Sequence, residues 1–481
     1  MDVDRIDDLY VDGSWQGARS SAMTTVTNPT TEEDLAEVVC GDAVDVHAAV
    51  RAADRAAGAW ARTPVAERCA LVEHLAQEIE ARAASFAELI TRENGTPVGE
   101  SSHAPAQAAG HLRHCAAVGP AVLAQDVRPN PMAPGDSVVQ RRPLGVAGLI
   151  TPWNYPLSLI VVKLGPALVA GCTVVVKPAA ETPLAARLLM TAVDAAGFPH
   201  GVVNMVTGDG TTGRALVEHD LVQKISFTGS TVVGRAIGEA CGLRLRPVVL
   251  ELGGKSPAVV LDDADPDVVA ATILKVSMRN TGQTCKACTR LIVPAVRRRE
   301  FVDLVCDVIG SAPLGDPADP ATFFGPLVSA RQRDRVLGYL EAGRAEGAKA
   351  VLGGGRPAGR DRGWFVEPTV FDEVTPGMTI AQEEIFGPVL SVLGYRDVDE
   401  AVAIANGTPY GLAGVVYGRD EDRAAGVADR IDAGTIGINH YGSSAAAPFG
   451  GHKASGLGVE FGAEGIAEYL ALTSVHRTAR P

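Results

Sequence analysis

Four short, mainly apolar runs, at residues 146–150, 173–176, 202–206 and 247–250, with a mixed Lys-Ile-Ser-Phe run at 224–227 before the last of them, alternate with segments long enough for a helix. Nothing else in the chain constrains its fold so tightly. Runs of this length without polar alternation must be covered on both faces, and strands joined through helices run parallel. One intervening helix is expected to end at Gly171, and another to run from Leu184 to Ala196. The expectation is an α/β fold with a doubly wound parallel sheet. In such sheets ligands lie beyond the carboxyl ends of the strands, so the turns after these runs are where function is sought.

At 481 residues the chain is too long for one core. A second α/β unit, rich in Asp and Ala, begins near residue 253 and runs past Gly451. Residues 43–92 carry Ala, Glu and Arg at helical spacing and read as two or three helices. The stretch Val127-Arg128-Pro129-Asn130-Pro131-Met132-Ala133-Pro134-Gly135 breaks structure, and an alternating segment from Ser137 to Arg142 follows it. That pattern predicts a β-arm leaving the globule. Residues 469–475 read as a strand able to pair with the arm, across a subunit boundary if the chain assembles.

A net charge of −14 argues against nucleic acid, whose phosphates need basic stripes. No apolar run approaches the ~20 residues that span a bilayer. The N-terminus, Met-Asp-Val-Asp-Arg-Ile-Asp-Asp, lacks the apolar stretch of a signal peptide. Eight cysteines are scattered without framework spacing, as reduced thiols of a cytoplasmic protein would be.

Chemistry concentrates in Asn280-Thr281-Gly282-Gln283-Thr284-Cys285-Lys286-Ala287-Cys288. A thiol among small and hydroxyl residues can be approached by a substrate, whereas a packing cysteine sits among aliphatics. Cys285 and Cys288 form a C-x-x-C, but no second ligand pair exists for zinc, so no metal site is expected. Cys288 reads as a small residue of a following helix. Gly208-Asp209-Gly210-Thr211-Thr212-Gly213 has the dinucleotide spacing without the acid that should close the next strand. Gly229-Ser230-Thr231-Val232-Val233-Gly234 spaces its glycines as a P-loop does, but Arg235-Ala236 replaces the Lys-Ser pair. What remains is a hydroxyl-bearing turn opening a helix, suited to a pyrophosphate or merely a strand-to-helix turn. Asn154, bracketed by Pro152 and Pro156, is a rigid amide that can donate to an oxyanion, or a turn-forming Asn. Glu251 closes an apolar strand before Gly253-Gly254, where a carboxylate either faces the ligand crevice or serves as a cap or ion-pair partner.

Taken with Glu383-Glu384-Ile385-Phe386-Gly387-Pro388, Pro448-Phe449-Gly450-Gly451 and residues 177–183, these segments resemble the NAD(P)-dependent aldehyde dehydrogenase superfamily, in order and over essentially the whole chain. The resemblance implies a Cys285 nucleophile, with Asn154 and the Cys285 backbone N–H as the oxyanion hole. Glu251 would activate the hydrolytic water, and Glu460 would stand as a second, proton-relaying carboxylate. Lys177 would hold the adenosine ribose, with Thr151, Trp153, Gly210, Gly229 and Ser230 along the cofactor. Glu384 would take the nicotinamide ribose, beside Phe386. The substrate tunnel would be lined by Tyr155, Ser158, Val162, Thr284, Lys286, Tyr441, Ser443 and Phe449, with Lys286 lowering the thiol pKa, attracting an anionic substrate or facing solvent.

The chemistry implied is aldehyde oxidation to a carboxylate through a thiohemiacetal and a thioester. The carboxylate at Glu251 favours hydrolysis over coenzyme A acylation, and the retained Cys285, Asn154 and Glu251 argue against an inactive structural homologue. NAD is favoured over NADP, although Ala180 replaces the acid that NAD-preferring members often carry three residues after the lysine. The expected division is a dinucleotide-binding domain (1–122 and 145–252), a catalytic domain (253–454) and an oligomerisation arm and tail (123–144 and 455–481). The expected assembly is a homodimer or homotetramer.

Overall fold

The computed structural model describes residues 4–132 and 134–478. The first residues of the acidic N-terminus, Ala133 of the arm and the last three residues of the tail lie outside it. Val146–Ile150, Thr173–Lys177, Val203–Met205, Val222–Thr228 and Val248–Glu251 form the parallel centre of one eight-stranded sheet. The order places Val146–Ile150 between Val222–Thr228 and Thr173–Lys177, with Val248–Glu251 outside Val222–Thr228. Ile150 pairs with Lys177, Phe227 with Ile150, and Thr228 with Glu251. That register brings Thr151, Lys177, Gly229 and Glu251 to one rim.

The sheet is not wholly parallel. Asp8–Val11 and Gly456–Leu457 close its two sides antiparallel, and Ser14–Gly17 pairs outside the former. These strands of two to four residues carry too little pattern to announce themselves. The pairing of Glu251 with Gly456 turns the chain back along the rim, and Glu460 follows four residues later.

The helix Ser158–Ala170 is buried from Ile160 onward, Lys163 included, and ends at Gly171 in left-handed backbone (φ 96°). Three helices, Ala43–Arg62, Val65–Ala81 and Ala83–Asn94, occupy the Ala-rich stretch. A second sheet runs Lys349–Leu352, Thr369–Asp372, Val389–Tyr395, Arg290–Pro294, Pro257–Val260, Ala413–Tyr417, Thr435–Ile438, with only its first strand antiparallel. The arm Asp136–Pro143 pairs antiparallel with Leu470–Arg477, from Leu470 opposite Pro143 to Arg477 opposite Asp136. The expected pairing forms, but within one chain, because the helix Gly462–Ala467 returns the chain beside the arm's base. Among the described residues no helix is long and apolar enough to cross a membrane.

Candidate active site

Cys285 sits in a loop between the two sheets. The helix Pro266–Ile273 widens into a π-turn, Leu274–Met278, and then bends sharply through Arg279–Gly282. Gly282 is required there: at φ 75°, a Cβ would lie 2.0 Å from the carbonyl oxygen of Gly387. That contact seats the Cys285 loop against the Glu383–Pro388 segment. Cys288 is not in a helix. Its N–H donates to Val276 O at 3.0 Å and its carbonyl accepts from Ser277 Oγ at 2.7 Å, closing the loop before the strand Arg290–Pro294.

Asn154 faces this loop from the proline-bracketed turn. Its Nδ2 donates to Gln283 O at 3.0 Å, and its own carbonyl accepts from Asn94 Nδ2 at 3.1 Å and Asn280 Nδ2 at 2.9 Å. The side-chain amide is thus tied to Gln283, two residues before Cys285, while the main chain of Asn154 is anchored by Asn94 and Asn280. The thiol is half-buried, and burial, followed by the Glu384 and Glu251 carboxylates, pushes its pKa up to about 12, while Lys286 pulls the other way.

Glu251 is 3% exposed, and among the described residues neither carboxylate oxygen has a hydrogen-bond partner. Burial and the neighbouring Glu460 lift it well above the usual carboxylate range, against the pull of Lys163. Glu460 is itself paired with Lys163, whose Nζ also donates to Thr228 Oγ1 at 2.7 Å. Phe449 holds Glu460 in place through two mutual backbone hydrogen bonds of 2.7 Å. A lysine inside the run Leu-Ile-Val-Val-Lys-Leu was the legible sign of this arrangement, since a cation on a buried helix needs a partner. The sequence reading passed over it.

The residues expected to hold a cofactor share the rim. Lys177 is buried, with Glu181 and Asp209 supporting its charge against desolvation. Thr151 Oγ1 is buried and unpartnered. Gly210 begins the helix Gly210–Glu218, capped by Asp209. Ser230 caps Thr231–Leu243, its Oγ accepting from Val233 N–H. Gly229 permits close approach, as a Cβ would meet the Phe227 ring at 2.4 Å, but its N–H is taken by Glu251 O at 3.0 Å. That amide is therefore unavailable to a phosphate, because the strand register consumes it. Across the crevice Glu384 accepts the Gly254 N–H at 3.0 Å, and Phe386 meets Trp153 edge to face at 5.3 Å. The rim thus offers a buried cation, an orphan hydroxyl, a helix start and a carboxylate, a donor set that fits a nucleotide.

Of the tunnel residues, Tyr155 Oη lies 2.8 Å from Thr284 Oγ1, and Tyr155 and Ser158 line one crevice with Glu100 and Arg279. Lys286 does not face solvent freely: Nζ donates to Ser443 Oγ and lies 5.2 Å from the Tyr441 ring centroid. Tyr441 Oη donates to Lys286 O.

The sequence matches the aldehyde dehydrogenase family over residues 15–475. The chain belongs to that family. Aldehyde dehydrogenases are oxidoreductases of the EC 1.2.1 type, and this one oxidises an aldehyde. Geranial dehydrogenase of Castellaniella defragrans is 43% identical over 97% of this chain and 98% of its own. A Mycobacterium tuberculosis aldehyde dehydrogenase complexed with NAD+ has the same fold at a TM-score of 0.96 and 41% identity, over 98% of both chains. A variant of aldehyde dehydrogenase C from Pseudomonas syringae, with NAD+ and octanal, follows at 0.93 and 39%, over 99% of this chain and 98% of that one.

Proposed function

We propose that this aldehyde dehydrogenase is hydrolytic, with Cys285 as nucleophile, Asn154 Nδ2 and the Cys285 N–H as oxyanion donors, and Glu251 as base. Cys285 attacks the aldehyde carbon as the thiolate, its proton passing to solvent water. Glu251, buried and without a hydrogen-bond partner among the described residues, takes the proton of the water that hydrolyses the thioester. The Asn154 side-chain amide, oriented by its bond to Gln283 O on a backbone that Asn94 and Asn280 anchor, stabilises the alkoxide. Collapse of the adduct gives up a hydride and leaves a thioester on Cys285. A nicotinamide nucleotide, when bound, accepts that hydride. Lys177 and Glu384 would hold its two riboses, Thr151, Trp153, Gly210, Gly229 and Ser230 would lie along it, and Phe386 would pack beside it. Glu460 and Lys163 pass the proton from Glu251 outward.

The observation that carries this reading is a buried carboxyl with two vacant oxygens beside the nucleophile loop. Stopped-flow measurement of Glu251→Gln tests it: one burst of reduced cofactor is expected, followed by almost no turnover. Steady-state rates equal to the parent's would exclude the assignment. We further propose that NAD is preferred, because Glu181 and Asp209 flank Lys177 and would repel a 2′-phosphate. The ratio of kcat/KM for the two cofactors measures this, and a value favouring NADP would reverse it.

A further inference from the structure

Two irregular segments meet at the reacting centre: the turn at 151–157, which carries Asn154, and the loop at 279–285, which carries Cys285. The loop is strained. Asn280 (φ 50°, ψ 44°) and Thr281 (φ 55°, ψ 36°) both hold left-handed backbone. Residues with a Cβ rarely occupy that region, and they stay there only where the surroundings fix them. Asn280 is bonded through its side chain to Asn154 O and Thr96, and Thr281 to Gly325, while the backbone at the start of the bend is held from a third place, the single helical turn Val98–Ser101.

Glu100 in that turn reaches both segments. Its Oε1 accepts from Tyr155 Oη at 3.1 Å and from Arg279 Nε at 2.5 Å, while Oε2 accepts the Asn280 N–H at 3.0 Å. Tyr155 adjoins Asn154. Arg279 and Asn280 open the bend that leads to Cys285, and Thr284 Oγ1 bridges back to Arg279 O at 3.1 Å. Three donors converge on one carboxylate, which is acceptor-only and has lone pairs for all of them. A carboxamide has one accepting oxygen and must release one side.

We propose that Glu100 is a positioning residue for aldehyde oxidation: by fastening both segments to one carboxylate it sets the separation between the Asn154 amide and the Cys285 thiol. The inference rests on the Cys285–Asn154 reading above. It does not place Glu100 in contact with substrate.

The test is a double-mutant cycle on the full-length enzyme, reading the pre-steady-state burst with octanal and NAD. E100Q is expected to slow the burst by about 10- to 100-fold, the loss a displacement of about 1 Å produces, with KM for NAD unchanged. In the N154A background the same substitution should cost less than about two-fold, because the donor it aligns is gone. A role in general stability would instead multiply the two losses. If E100Q does not fold, Y155F removes a single hydroxyl and should show a smaller loss that N154A equally absorbs. An unchanged burst in E100Q, or multiplying losses, overturns the role of Glu100. C285A and N154A alone separate the two readings: if either keeps a full burst, the nucleophile assignment fails and this inference falls with it.

Discussion

Glu93 and Glu251 are both buried carboxyls, and burial raises the pKa of each, yet their surroundings differ in kind. Glu93 gives its oxygens to the N–H groups of Leu184 and Ala185, at 2.8 and 3.0 Å, in the first turn of the helix Pro183–Ala196. It buckles the helix Ala83–Asn94 to the helix that follows the Lys177 strand. Among the described residues Glu251 gives its oxygens to no donor, and it has Glu460 as a like-charged neighbour. Burial alone therefore does not mark a reactive acid; a buried acid left unsatisfied does. A structural carboxyl is defined by its donors, and a base by lone pairs kept free.

Removing the free lone pairs should have the largest consequence. Glu251→Gln is expected to lower kcat by about 10³-fold, the usual weight of a general base, while the protein folds normally. Steady-state assays beside circular dichroism check both halves. Next comes the cation that offsets the acid pair. Lys163→Met leaves Glu460 buried without its partner, so about 3–5 kcal/mol of stability should be lost, measured by urea unfolding. The acidic limb of the kcat profile should also move to higher pH, since Lys163 now pulls Glu251 downward. A smaller effect is expected at the buckle: Glu93→Ala strands two N–H groups, costing about 1–3 kcal/mol with kcat nearly intact. A large fall in kcat for Glu93→Ala, without unfolding, would erase the contrast between the two acids.

The weakest expected effect is on pH and stability. A carboxyl whose pKa is higher folded than unfolded binds its proton more tightly in the native state. Stability is then greatest below the unfolded value and declines as pH rises toward the folded one. For Glu93 that window runs from 4.5 to about 8. Glu251 shifts in the same direction. Replacing Glu93 by Gln should flatten the fall of Tm between pH 5 and pH 8, measured by scanning calorimetry. A steeper fall would reverse the assigned sign.

Much of the site was legible because its signals are local. Glu251 closes an apolar run, Asn154 is bracketed by prolines, and Cys285 follows a Gly-Gln turn. Their partners were not. Asn94 reaches Asn154 across 60 residues, Glu100 reaches Arg279 across 179, and Lys163 reaches Glu460 across 297. No periodicity encodes such pairs, since each depends on where other elements bring the chain. Gly229 shows the reverse case. Its spacing suggested an amide free for phosphate, but the register with Glu251 uses that amide for the sheet.

Residue order by itself determined the alternating architecture and singled out Cys285, Asn154 and Glu251 as the proposed nucleophile, amide and acid, because burial and turn chemistry act over a few neighbouring positions. The folded arrangement decided which acid stays unsatisfied, which lysine offsets it, and that the tail pairs with its own arm. Those outcomes belong to the tertiary structure, because partner choice for a buried charge or an open strand edge is a property of distance in space.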